Sequence, residues 1–312
     1  MITFGPIPSR RLGRSLGINN IPPKICSYSC IYCQIGKTNT MSVQRKEFYP
    51  PEQIFREVID KVKELNKKNE TIDYLTFVPD GEPTLDISLG KTILLLKKLN
   101  IKIAVITNSS LLWDEKVRDD LSNADWVSVK VDTVDEHIWH KIDRPNRRLK
   151  LPDILNGISD FSKNFKGTLV TETMLVKNVN DFNQNLIDTS RMIEKIHASK
   201  SYILVPTRPP AEDAVYPPSE EKLNEAFQIY NNLLKNVEII SSNEGLNFSF
   251  SSEAEQELLS ILSVHPMRKD AMENFLIKAG AGWSLAENLI NNNIIKMVEY
   301  SDEHFFVRIL KK

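Results

Sequence analysis

The sequence predicts an α/β protein: a partial (βα)6 TIM-like barrel followed by a small C-terminal winged-helix module. Three observations carry that expectation. Apolar runs alternate with amphipathic stretches from residue 72 to residue 235. All three cysteines fall in one eight-residue window near the N-terminus. The rhythm of the chain then changes after residue 253.

A first strand is expected around Ser15 to Ile18, just ahead of the cysteines. Further strands are predicted at 72–79 (IDYLTFVP), 101–107 (IKIAVIT), 125–131 (DWVSVKV), 168–176 (TLVTETMLV) and 201–206 (SYILVP), each a short apolar or alternating run. Between and after them lie helical segments at 51–68, 86–98, 112–121, 152–164, 181–198 and 219–235, with apolar residues three and four apart. Strand, helix, strand repetition implies right-handed crossovers and a parallel sheet, with functional groups collected at the C-terminal ends of the strands. The run at 125–131 is the most informative. Val127, Val129 and Val131 fall on one face and suit a helix-covered side, whereas Trp126, Ser128, Lys130 and Asp132 fall on the other and mark a cavity.

From residue 253 the pattern reads as helices at 253–263, 268–278 and 284–292. Two apolar runs then flank the polar turn Ser301, Asp302, Glu303. Three helices and a two-stranded wing describe a winged helix, so the domains are expected at 1–250 and 251–312, with the boundary at the serine pair 251 and 252.

Composition excludes several classes. Hydrophobic residues at 41% beside charged residues at 26% are globular, and no apolar run approaches the roughly 20 residues of a membrane span. The N-terminus, MITFGPIPSRRLGRS, has no apolar signal region, so a cytoplasmic protein with reduced thiols is expected. The net charge is only −1, but residues 1–46 carry Arg10, Arg11, Arg14, Lys24, Lys37, Arg45 and Lys46 and no acid at all. A one-sided basic segment attracts anionic partners even on a neutral chain.

The cysteines form the window C-S-Y-S-C-I-Y-C, giving the spacing CxxxCxxC for Cys26, Cys30 and Cys33. Three thiolates with no fourth in the chain suit an iron-sulfur cubane whose fourth iron keeps an open corner. Zinc is the competing reading, but a structural zinc needs four ligands and the nearest histidine is His137. A single reactive thiol with two accidental neighbours is the third.

With Tyr32 just before its last cysteine, this motif resembles that of the radical S-adenosylmethionine (SAM) superfamily, whose fold is a partial barrel of the kind predicted. The resemblance implies a [4Fe-4S] cluster and SAM as cofactors. It also implies a reaction in which reductive cleavage of SAM yields a 5′-deoxyadenosyl radical. Asp80-Gly81-Glu82-Pro83, at the end of the 72–79 strand, resembles the superfamily's Gly-Gly-Glu element, which receives the SAM amino group. The same G-E-P-T-L-D stretch is also good helix-capping chemistry. By the same resemblance Asn108 and Ser109 meet the ribose or methionine end of SAM, Lys130 supplies a cation to its carboxylate, and Asp132 is a further cofactor-binding candidate. A narrower similarity runs through 4–17, Q-I-G-K-T at 34–38, K-V-D at 130–132, K-I-D-R-P at 141–145 and V-P-T-R-P-P at 205–210. It is similar to a group of radical SAM proteins classed with wyosine synthases, the enzymes that build the tricyclic base of certain tRNAs. Archaeal wyosine synthases carry a second cluster with its own cysteines, and this chain has none left for one.

The remaining candidates are cationic. Arg10, Arg11 and Arg14 precede the cysteines, Arg144, Arg147 and Arg148 follow the 125–131 strand, and Arg208 follows the strand at 201–206, so all are expected at the barrel mouth. Arginine suits bidentate capture of phosphate, which makes an RNA or phosphorylated nucleotide the favoured substrate. Docking of an acidic electron donor or pairing with surface carboxylates remain as alternatives. Glu172 is a further candidate cavity contact, whereas His137 and His140 read as packing beside Trp139. A flavodoxin or ferredoxin is expected to deliver electrons. The third helix of the C-terminal module carries Glu287 and no Lys or Arg, which is poor for a groove-reading helix. A radical enzyme acting on a protein or peptide held by that module is therefore the alternative function, and a non-enzymatic metal-binding regulator is the other.

Overall fold

The computed structural model describes residues 2–241 and 254–309. The chain opens with a hairpin of β1 (Thr3–Ser9) and antiparallel β2 (Gly13–Ile18). Two short parallel strands, β3 (Ile25–Cys26) and β4 (Thr40–Met41), then draw together the ends of the cysteine loop. There follow α1 (Pro51–Lys67), β5 (Tyr74–Phe77), α2 (Leu89–Leu96), β6 (Lys102–Thr107), α3 (Glu115–Leu121), β7 (Trp126–Lys130), α4 (Glu136–Ile142), α5 (Leu151–Asn164), β8 (Thr168–Met174), α6 (Asn183–Glu194), β9 (Lys200–Leu204), α7 (Glu220–Leu233) and β10 (Val237–Ile240).

Local chemistry sets most of these boundaries. Pro51 opens α1, where a missing N–H is harmless, and Ile54, Val58, Lys61 and Leu65 form its buried stripe. Asp114, Asp135 and Ser219 cap α3, α4 and α7 by accepting from Lys116 N, Ile138 N and Lys222 N. The expected helix at 86–98 is shorter than predicted. It yields to a 3₁₀ turn at 97–99, which Asn100 ends in a left-handed conformation at φ 55°.

The strands form one sheet in the order β1-β2-β5-β6-β7-β8-β9-β10, parallel from β2 onward. Among the described residues the parallel run has seven strands where six were expected, and β1 adds an antiparallel edge. The alternation read in β7 is realised around the whole curve. Ile103, Val105, Val127, Val129, Leu169 and Ile203 pack outward under the helices. Ala104, Trp126, Val170, Tyr202 and Ile240 point inward and close on Leu12 from the β1–β2 turn. Trp126 therefore belongs to an apolar plug at the base of the barrel, not to the cavity wall.

Beyond the serine pair 251 and 252, which lies outside the described residues, come α8 (Ala254–Val264), β11 (Met267–Arg268), α9 (Lys269–Lys278), α10 (Trp283–Asn291), β12 (Ile295–Tyr300) and β13 (Glu303–Arg308). The last two pair through Ser301 and Asp302, both left-handed, as a tight two-residue hairpin turn demands. A third short strand joins them, in the order β11-β13-β12. This C-terminal unit shares a core with the barrel's edge: Phe4 and Ile7 of β1 pack with Leu258, Ile261, Met272, Phe275 and Phe306.

A buried ion pair reinforces that junction. Lys61 on α1 donates to Glu257 on α8, which also accepts from Gly5 N at 3.2 Å. Removing one member leaves the other charged and desolvated, whereas replacing both with apolar groups does not. Lys61→Met is expected to lower unfolding free energy by about 3–5 kcal/mol. The double change to Lys61→Met with Glu257→Leu should recover most of that loss, as read by urea denaturation near pH 7.

Candidate active site

A cavity of about 300 Å³ opens at the C-terminal ends of the parallel strands, and Cys26, Cys30 and Cys33 form one side of it. None of the three is in a disulfide. The loop that carries them is irregular, so its backbone groups need partners from elsewhere. They find them after α4. Ser29 N donates to the Asp143 carbonyl at 3.0 Å, Ile31 N to that of Ile142 at 2.9 Å, and Asn146 N to that of Ser27 at 2.9 Å. Asn108, at the end of β6, grips the loop from the opposite side. Its Nδ2 donates to Cys26 Sγ at 3.4 Å and to Ser27 Oγ at 3.0 Å.

Gly81 is fixed by close approach. A Cβ there would lie 2.0 Å from the Ile25 carbonyl oxygen, next to Cys26. The neighbouring contacts show why: Glu82 N donates to Ile25 O at 3.2 Å and Lys24 N to Asp80 O at 2.6 Å. The Glu82 carboxylate is buried and saturated. It accepts from Thr84 N at 3.1 Å, Thr84 Oγ1 at 2.6 Å, Thr107 Oγ1 at 2.6 Å and Asn108 N at 2.8 Å. The capping expected of this stretch is thus made, and the same carboxylate pins the end of β6. Burial raises its pKa even against those donors.

The inner wall is a compact set of charges. Arg11 pairs with Glu172, which also accepts from Ser128 Oγ at 2.6 Å. Burial would raise the pKa of Glu172, but Arg11 and Lys130 hold it below the usual carboxylate range. Burial alone would likewise pull Lys130 down, yet Asp132, Glu172, Cys30 and Asp143 keep its ammonium above its ordinary value. Its Nζ sits 5.1 Å from the centre of the Tyr32 ring. The Tyr32 hydroxyl lies between the carboxyls of Asp132 and Asp143, 3.1 Å from the latter. One hydroxyl proton serves one of them at a time, and burial drives both pKa values up.

Of the residues expected at the site, Cys26, Cys30, Cys33, Tyr32, Gly81, Glu82, Asn108, Lys130, Arg10, Arg11 and Arg208 line the cavity. Glu172 lines it too. Pro83, Ser109 and Asp132 stand behind the wall. Ser109, left-handed at φ 69°, accepts from Lys130 N at 2.7 Å, and Asp132 accepts from Met174 N at 2.7 Å. The other arginines do not converge. Arg14 lies at the N-terminal end of β2, where it pairs with Glu70 and donates to Thr71 O at 2.9 Å. Arg144 turns outward to Glu212 at 2.6 Å, and Arg147 and Arg148 are exposed and absent from the cavity. Arg10 and Arg11 come from the β1–β2 turn at the strands' N-terminal ends, so they enter from the base of the barrel, not its mouth. His137 and His140 are exposed, and buried Trp139 does the packing, with Nε1 donating to Tyr28 OH at 3.1 Å.

Lys24, Gln34, Thr107 and Asp143 also shape the site. Asp143 was visible within K-I-D-R-P, but its role depends on tertiary contact: its carboxyl meets Cys30 Sγ at 3.3 Å. Among the described residues no three His, Cys, Asp or Glu side chains close around a single-ion site. The thiols instead occupy separate points of one wall. Burial pushes Cys26 up to about 12, with Glu82 the next cause, and pushes Cys30 well up and Cys33 up. Three soft donors, spread around one cavity and needing a cation to hold them as thiolates, fit an iron-sulfur cluster.

The chain belongs to the radical SAM superfamily, whose family model matches residues 20–189. It is 44% identical, over 99% of its length and 97% of the relative's, to UPF0026 protein MJ1312 of Methanocaldococcus jannaschii. A radical SAM methyltransferase from Sphaerobacter thermophilus has a similar structure, with TM-score 0.56 and 15% identity over 73% of this chain and 67% of its own. A structure of TYW1 with a lysine-pyruvate adduct aligns over 95% of this chain and 80% of its own, with TM-score 0.49 and 14% identity. Members of the superfamily are enzymes that bind a 4Fe-4S cluster and SAM, which sets aside the non-enzymatic regulator. No helix among the described residues is long and apolar enough to cross a membrane.

Asp80 supplies a prediction. Burial lifts its carboxyl from 3.8 to about 7, against the pull of Arg308 and Lys24. A carboxyl raised on folding destabilises the native state progressively from about pH 4 to pH 7 and at a constant level above. Asp80→Asn should therefore be more stable than the parent at pH 8 by up to about 4 kcal/mol. The gap should close by pH 4 in denaturant titrations of the two proteins.

Proposed function

We propose that Cys26, Cys30 and Cys33 hold one [4Fe-4S] cluster, that SAM occupies the adjoining cavity, and that the enzyme modifies an RNA or a phosphorylated nucleotide. The observation that carries this reading is three unpaired thiols on one cavity wall in a chain with no fourth cysteine. When bound, the cluster supplies the electron that cleaves SAM, leaving a 5′-deoxyadenosyl radical to take hydrogen from the substrate.

The chain's own residues orient and enclose. The backbone edge at Gly81, drawn tight against Ile25, is the receptor for the SAM amino group, and Glu82 holds that edge to β6. Asn108 and Lys130 face the carboxylate end, with Ser109, Asp132 and Pro83 fixing their positions from behind. The Tyr32 ring, covered by Lys130, would form part of the wall beside the bound cofactor. Apolar surface from Ile106, Met174, Leu204 and Val205 keeps water from the reacting carbon.

Charge favours an anionic substrate. Arg10, Arg11, Lys24, Lys130 and Arg208 line the cavity beside Asp80, Glu82 and Glu172, so its cations outnumber its carboxyls. A cavity of about 300 Å³ is on the scale of a small-molecule site and does not admit a folded strand. The grouping with wyosine-synthase-like enzymes agrees with a tRNA base. We take residues 1–250 as the catalytic barrel and 251–312 as a winged helix, in a cytoplasmic enzyme reduced by a flavodoxin or ferredoxin. One observation favours a second reading, modification of a peptide guided by the winged helix. Arg208 on the cavity wall bonds His265 of the C-terminal unit at 2.8 Å, so that unit reaches the site.

Anaerobically reconstituted protein with dithionite should convert SAM to 5′-deoxyadenosine, detected by mass spectrometry. Alanine at any one of the three cysteines should abolish the product. Retained product in such a variant, or zinc in place of iron, would overturn the cluster assignment. Binding of total tRNA should weaken steeply with salt, by about tenfold or more between 50 and 200 mM, and Arg208→Ala should flatten that slope. A salt-independent interaction would favour the peptide reading.

A further inference from the structure

A second cavity, of about 350 Å³, lies where the barrel meets the C-terminal unit. Asn19 and Tyr49 face it from the barrel, Gln256 and Ser260 from α8, and Arg308 from the end of β13. Asp80 borders both this cavity and the cysteine-lined one. The reading of the second cavity does not depend on what fills the first.

Asp80 is 2% exposed, and its Oδ1 has no hydrogen-bond partner. A buried oxygen left unpaired costs about 1–3 kcal/mol, more when charged, so such a group normally has a partner from protein, water or ligand. The cation nearest in effect is Arg308, the strongest influence opposing the burial of Asp80. Yet no ion pair joins the two. Arg308 instead turns Nη1 to Leu259 O at 3.0 Å and to Ser263 Oγ. A carboxyl and a guanidinium are thus held apart on the walls of one polar space. A plain anion would meet Asp80 and a plain cation would meet Arg308, so neither is complementary. A molecule carrying both charges is complementary at both ends. The volume falls within the range of small-molecule sites.

We propose that this cavity binds a small zwitterion of the α-amino-acid class, its ammonium group on Asp80 and its carboxylate on Arg308. Occupancy would place an amine-bearing ligand in the wall shared with the cysteine-lined cavity and would bridge the barrel to α8 and β13.

The test is calorimetry and thermal melting of the full-length apoprotein with individual L-amino acids, their N-acetyl derivatives and their carboxamides. At least one free amino acid should bind and raise the melting temperature, while its N-acetyl and carboxamide forms bind at least about tenfold more weakly. Asp80→Asn keeps size and breaks no hydrogen bond seen here, and it should erase the preference for the free amine. Arg308→Gln should erase the preference for the free acid, which separates this cavity from the cysteine-lined one, where Arg308 has no part. Circular dichroism establishes that each variant is folded. Binding by no amino acid, equal binding of acid and carboxamide, or binding unchanged in Arg308→Gln would leave the cavity to ordered water and overturn the proposal.

Discussion

The structure depends on one constraint: an irregular loop must hold three buried thiols toward an open cavity while its own backbone polar groups stay satisfied. No helix or strand within the loop can do that, so the partners come from the strand ends around it. Residues 142–146 take three backbone bonds, Asn108 takes a sulfur and a hydroxyl, and the bare edge at Gly81 lets the chain come within reach of Ile25. Each bond is worth about 1 kcal/mol net, but an unmade one in this setting costs more. The barrel's parallel ends thus serve the loop before they serve any ligand.

Burial then dictates the electrostatics. Carboxyls at Glu82, Asp132, Asp143 and Glu172 sit within or just behind a wall that also holds three thiols, so like charges crowd a poorly solvated space. Only Glu172 is held below the ordinary range, because Arg11 and Lys130 reach it. The other three are drawn toward their neutral forms by burial, and for Asp143 the neighbouring Asp132 adds to that effect. Lys130 is the counterweight common to Asp132, Asp143 and Glu172, which explains why an ammonium survives inside a barrel.

How much of this was legible follows from which interactions are local. The cysteine window, the strand alternation around β7 and the capping at Glu82 are short-range patterns, and each appears where the residues place it. The β1 strand was missed because Gly5, Pro6 and Pro8 break the usual signal, and its pairing with β2 is irregular between Phe4 and Ile7. The β10 strand was missed because four residues carry too little pattern. Arginine placement failed for a different reason. Position in the chain says which loop a residue occupies, but a long side chain goes to its nearest carboxylate: Arg14 to Glu70 and Arg144 to Glu212. The role of Asp143 is tertiary, since nothing near it in sequence announces a sulfur 3.3 Å away.

The C-terminal unit is packed against residues 205–215, the segment whose first residues line the cavity. Its Tyr300 hydroxyl donates to the carbonyls of Pro206 and Val215, each at 3.3 Å, and His265 meets Arg208. The same segment reaches the cysteine loop from its other side. Arg208 donates to Gln34 at 2.6 Å, and Glu212 N donates to Ile31 O at 3.1 Å. Residues 205–215 are therefore held at one end by the C-terminal unit and at the other by the loop that carries the thiols. With α8 also joined to β1 through a shared apolar core, contacts run without a break from the unit to Gln34, the residue following Cys33. The unit is therefore packed against the barrel, not tethered beside it.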